Sequence, residues 1–147
     1  MKIAAAAIIV LAIVIGVVPQ FTDCQSQGRA ITLANGKTVP MKCHWTAQAA
    51  LAMTLPLLGL GTVTAVSRRK ESRRIISALG VLLGGAVILL PTYLIGVCGN
   101  GMMLCNNTMQ PTLLFSGILI GATSLVTLVL ARKDETQPAL PGMGQPA

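Results

Sequence analysis

The residues with the most chemistry in this 147-residue chain are four cysteines, set in two short polar stretches of an otherwise apolar sequence. Cys24 and Cys43 bracket the first stretch, and Cys98 and Cys105 bracket the second. Thiols so placed have three uses. Paired in an oxidising compartment they become disulfides. The local pairing Cys24–Cys43 with Cys98–Cys105 is the first expectation, each bond closing one loop and contributing about 2–4 kcal/mol. Cross-loop pairing would instead pin both loops into one cap. Thiol–disulfide exchange is the second use. It is fastest from a low-pKa thiolate, and Cys43, between Lys42 and His44, is the best-placed candidate. The usual Cys-x-x-Cys pair is absent. Soft-metal binding is the third use, with Met41, Cys43, His44, Met102, Met103, Cys105 and Met109 as donors suited to Cu(I). Their spacing matches no metal motif, so the expectation is no cofactor, no metal and no catalytic residue.

The elements carrying these residues are membrane spans. The chain is 53% hydrophobic and 10% charged, with mean hydropathy +0.74, against about 25% charged residues in a soluble domain. Aromatic residues make up 3%, too few to offer a stacking surface for nucleic acid. Crossing the hydrocarbon core takes about 20 apolar residues, and the segments 3–21, 45–66, 75–97 and 112–131 qualify. Helices are required, because lipid offers no partner to an open strand edge. The sequence therefore predicts an all-α membrane protein with one four-helix transmembrane domain, residues 1–133, followed by a disordered cytoplasmic tail, 134–147. The apolar start reads as a true span, since no small-x-small cleavage site follows it. A lipoprotein signal would need a small residue where Asp23 precedes Cys24.

Charge sets the orientation. Arg68, Arg69, Lys70, Arg73 and Arg74 hold five of the eleven basic residues in one short connector. The excess of Lys and Arg in cytoplasmic loops puts this connector and both termini inside the cell and both cysteine segments in the extracytoplasmic space. The net charge of +7 is thus a topology signal rather than a nucleic-acid footprint. Within the first outer loop, Asn35-Gly36 between Ala30–Leu33 and Lys37–Val39 signals a small β-hairpin. The four spans contain no Asp, Glu, Lys or Arg, the residues that mark proton and ion pathways. Pro56 and Pro91 each remove a helix donor. Gly80 and Gly84, and Gly117 and Gly121, recur at the spacing that lets helix backbones approach in lipid, either within the chain or toward a partner helix.

The segment Pro40-Met41-Lys42-Cys43-His44-Trp45-Thr46, opening the second span after the Cys24 loop, resembles an uncharacterised prokaryotic membrane family, domain of unknown function 4418, over most of the chain from Met1 to Arg132. The resemblance implies a four-helix protein and no activity. It also implies an association with ABC-type export permeases. The expected function is a small non-enzymatic integral membrane protein, an accessory subunit or partner of a larger complex in the lipid bilayer. Its partner contacts would come from Lys42, His44, Trp45 and the Gly80/Gly84 and Gly117/Gly121 faces. Four outward cysteines in two loops of a helical bundle also resemble the quinone-coupled disulfide-generating membrane proteins. A membrane thiol–disulfide oxidoreductase is therefore the first alternative and an extracytoplasmic copper-binding protein the second.

Overall fold

The structure is a computed structural model and describes residues 2–67, 70–99 and 101–136. Four helices follow the hydropathy: α1 (Lys2–Thr22), α2 (Lys42–Val66), α3 (Lys70–Leu89) and α4 (Gln110–Thr136). A π-helical turn, Leu90–Leu94, continues α3, and a second, Cys105–Met109, leads into α4. The stretches Ile3–Thr22, Lys42–Val66, Ser72–Leu94 and Cys105–Arg132 are long and apolar enough to cross a membrane. Among the described residues, four helices are therefore fit to span a bilayer.

Several boundaries differ from the sequence reading, and two of them carry cysteines. The second helix starts at Lys42, three residues before the expected span, so Cys43 and His44 lie in its first turn rather than in a loop. The fourth begins its helical path at Cys105, so that cysteine also stands on a helix. At the other end α4 runs on to Thr136, through residues 134–136 of the expected tail. Residues 137–147 lie outside the described residues, as do Arg68, Arg69 and Asn100.

The helices pair as two hairpins, α1 with α2 and α3 with α4, and the hairpins meet less extensively. Backbone proximity governs the second seam. A Cβ on Gly84 would lie 2.8 Å from the Gly121 nitrogen and 3.0 Å from the Gly117 oxygen. One on Gly117 would lie 2.9 Å from the Gly84 oxygen. In lipid there is no hydrophobic gain in helix association, so small residues that allow such contact supply the adhesion. Gly80 faces Ser124 of α4 in the same seam. The expected glycine faces are thus used between α3 and α4, inside the chain. The Ser77 and Thr127 hydroxyls bond across it at 3.0 Å. In the first hairpin Gly16 meets the Thr54 side chain and Gly61 meets Ile9.

Pro91 falls in the first π turn. Without an amide hydrogen it cannot continue the α-helical ladder, and the chain widens until the Ile95 and Gly96 amides both bond the Leu90 carbonyl, at 3.1 and 3.2 Å. Gly96, at φ +80°, then turns the chain in a conformation that a Cβ would strain. The expected flap is present as β1 (Ile31–Thr32) and β2 (Thr38–Val39), antiparallel with Ile31 opposite Val39. Gly36 carries the positive φ of its turn, +76°, and its amide bonds the Leu33 carbonyl at 2.9 Å. Both strands are exposed.

Candidate functional site

The apolar core runs through Ile15, Leu57, Val87 and Leu113 and ends on sulfur. Cys24, Cys43 and Cys105 belong to the same buried cluster, with Cys98 and Met103 packed against it. Each cysteine arrives from a different direction. Cys24 follows the end of α1, held by a tight turn in which the Ser26 amide bonds Asp23 Oδ1 at 2.7 Å and the Arg29 amide bonds the Cys24 carbonyl at 2.9 Å. Cys43 is the second residue of α2. Cys98 follows the Gly96 turn, and Cys105 opens the helical path into α4.

All four sulfurs lie within 4.8 Å of one another. Cys24 Sγ is 3.5 Å from Cys105 Sγ and 3.7 Å from Cys98 Sγ, and Cys98 Sγ is 3.5 Å from Cys43 Sγ. These contacts cross from one hairpin to the other, and the cysteines are free thiols. A disulfide would need about 2.05 Å. The two separately stapled loops that were expected are not shown: no sulfur pair stands at that distance, and the loops converge so that the sulfurs form one cross-hairpin cluster. The reason is the early start of α2, which turns Cys43 inward. Cys43 is also wholly buried, a poor position for the reactive thiol expected of it. Cys98 is the half-buried member.

Polar bonds brace the cluster. Asp23 and His44, the neighbours of Cys24 and Cys43, meet through Oδ2 and Nδ1 at 2.9 Å. The ring N–H donates to the carboxylate, a charge-assisted bond that fastens the end of α1 to the first turn of α2. Burial pushes the Asp23 carboxyl up, but the bonds from His44 and Ser26 outweigh it and hold its pKa below the ordinary aspartate value. Burial among the other sulfurs raises the Cys24 thiol, whereas at Cys98 the neighbouring thiols outweigh burial and lower it. The buried Thr46 hydroxyl donates to the Gly96 carbonyl at 2.7 Å, tying α2 to the second loop. Gln20 Nε2 donates to the Ala47 carbonyl at 3.1 Å.

Of the other residues singled out in the sequence, Trp45 is 57% exposed, with its ring edge toward His44, and Lys42 starts α2 with its side chain outward. Met109 is buried in the cluster and Met41 and Met103 pack on it, whereas Met102 projects outward at 95% exposure. The Cu(I) donor set is therefore only partly assembled. Asp23 and Thr46 were missed as site residues. The dipeptides Asp23-Cys24 and Cys43-His44 were the available signal, an acid and a base each beside a cysteine at facing helix ends.

The fold and the cluster fit a multi-pass, largely helical membrane protein with a buried thiol group at its loop end. The chain belongs to the family described as "Domain of unknown function (DUF4418)", which it matches over residues 3–130. No curated protein and no solved structure matches it.

Proposed function

We propose that this chain is a small non-enzymatic membrane protein that serves a larger membrane assembly, with its cysteine-bearing cap as the working end. The observation that carries this reading is the bracing of the cap. The sulfur cluster, the Asp23–His44 pair and the Thr46–Gly96 bond hold both loops together, so that exposed Lys42 and Trp45 stand on a fixed surface. A rigid surface loses little freedom on docking. The basic connector supports a cytoplasmic position for both termini and an extracytoplasmic one for the cap. The resemblance that implied export permeases of the ABC type supplies the class of partner. Extraction in mild detergent followed by mass spectrometry of co-purifying chains tests the reading. A stable partner lost on changing Trp45→Ala and Lys42→Glu is expected, and a lone 15.2 kDa species overturns it. An impermeant thiol reagent applied to intact cells tests the orientation: a cysteine at Ser67→Cys should resist it.

A second reading, thiol–disulfide exchange, is favoured by Cys98. It is the accessible thiol, with its pKa lowered by its neighbours and with Cys43 Sγ at 3.5 Å to resolve a mixed disulfide. In it the Cys98 thiolate attacks a disulfide of a soluble partner protein and releases one partner thiol; mixed disulfides that accumulate in Cys43→Ser and vanish in Cys98→Ser would support it. Their absence from both variants would dismiss it. Oxidation of the cluster by such a partner would link hairpin to hairpin, because the two 3.5 Å approaches, Cys24 to Cys105 and Cys43 to Cys98, use each sulfur once.

A further inference from the structure

We infer that Cys24, Cys43, Cys98 and Cys105 form a tetrathiolate site for one soft divalent cation, zinc in the first instance, which clamps the α1–α2 hairpin to the α3–α4 hairpin. The inference concerns what closes the cluster and does not rest on the partner reading.

Geometry carries it. A zinc–thiolate bond is about 2.3 Å, so a tetrahedron of four sulfurs about one ion has edges of about 3.8 Å. The measured approaches are 3.5, 3.5 and 3.7 Å, and no pair exceeds 4.8 Å. Two disulfides would require the 3.5 Å pairs to close by about 1.5 Å each, to the bonded distance near 2.05 Å. They would leave no reason for all four sulfurs to converge. An iron–sulfur cluster, which places its own sulfides between the cysteines, needs a wider frame than this.

The surroundings fit a cation bound by thiolates. Cys43 lies in the first turn of α2, and Cys105 opens the helical path into α4. A helix start favours a thiolate. Three of the sulfurs are sealed from solvent and the fourth, Cys98, is half-buried, which leaves a way in for the ion. Binding forms four sulfur–metal bonds and releases the four thiol protons to solvent. A divalent ion leaves two net negative charges among four thiolates, one fewer than a monovalent ion such as Cu(I). In so buried a place the smaller excess costs less. The copper donors suggested by the sequence gather here only in part, because His44 Nδ1 is committed to Asp23 and Met102 projects outward. Asp23 and His44 act instead as braces beside two of the ligands, as groups around metal sites commonly do.

The test is metal analysis of the whole chain, purified in mild detergent under anaerobic conditions without reductant or chelator. About one zinc per chain is expected. Replacement by Co²⁺ should give the intense sulfur-to-cobalt charge-transfer and visible bands of a tetrahedral thiolate site, a readout of the wild-type protein that needs no variant. The double change Cys43→Ser/Cys105→Ser should drop the zinc to background. An intact mass lower by the hydrogens of two disulfides, with no metal bound, overturns the inference. So does a zinc content unchanged in the double variant, or a cobalt spectrum without thiolate bands. Stoichiometric copper in place of zinc refutes the choice of a divalent ion. None of these results depends on a co-purifying partner.

Discussion

The middle of the α3–α4 seam and the cap at the loop end are both contacts between helices, but they adhere by opposite means. In the seam, glycine backbones touch, and close fit does most to bring α3 against α4, with the Ser77–Thr127 hydroxyl bond beside it. At the cap, contact is made by sulfur, a carboxylate–imidazole pair and a hydroxyl reaching a carbonyl. The seam lies among lipid tails, where apolar surface gains nothing by association and close backbone contact must suffice. The cap lies where the helices end; there the Asp23–His44 pair closes the first hairpin, and the sulfur contacts and the Thr46–Gly96 bond join one hairpin to the other. Shape assembles the second hairpin, and directional chemistry joins the two hairpins.

The difference can be broken most severely at Gly84. Leucine there would drive into the Gly121 backbone, 2.8 Å from even the first added carbon, and α4 would have to move. A loss of about 3 kcal/mol, at the upper end for overpacking, is expected in denaturation from mixed micelles. Next in size is Asp23→Ala in the cap, which strands the His44 ring and the Ser26 amide. About 2 kcal/mol should go, the usual cost of removing a charged partner. The pH dependence has a definite sign. The folded carboxyl titrates below its ordinary value, so its contribution is complete above about pH 4, the ordinary aspartate range. It is lost as pH falls through the lower folded value. Wild type should therefore lose more stability than Asp23→Ala between pH 5 and pH 2, and equal losses would remove Asp23 from the account. Thr46→Val deletes the hydroxyl at nearly constant shape and should cost about 1 kcal/mol, while making Cys98 more reactive to alkylation as its loop loosens. The smallest effect belongs to Gly85→Ala. Its Cβ would meet nothing within 4 Å, so the change should stay within about 0.5 kcal/mol. A large effect there would mean that the second hairpin also packs on a face left open in this structure.

The elements with long uniform signals were legible in the sequence. Each span is a run of apolar residues, and the flap follows from Asn35-Gly36 between β-branched neighbours. Helix ends were less legible, because Lys42-Cys43-His44 reads as polar loop by hydropathy although it forms the first turn of α2. That one turn decides the site. With Cys43 assigned to a loop, the nearest partner in sequence is Cys24, and local pairing follows. With Cys43 on the helix, it meets Cys98 across 55 residues. No spacing rule reports a contact of that range, and no Cys-x-x-Cys motif announced it. The glycine repeats were legible as close-packing positions, but which helix they would meet was not, since any neighbour with small residues satisfies the same pattern.

The cysteines are divided evenly, one pair borne by each hairpin, and Cys105 is the last to leave the ribosome. The first hairpin can insert and fold while its two sulfurs have no counterpart. Cys98 follows α3, and only when the fourth helix follows does the cluster gain its last member, Cys105. Its completion is therefore a chemical record that all four helices have been inserted and correctly mated. A chain arrested after α3 would carry unmatched thiols at the bilayer surface, open to capture by quality-control machinery.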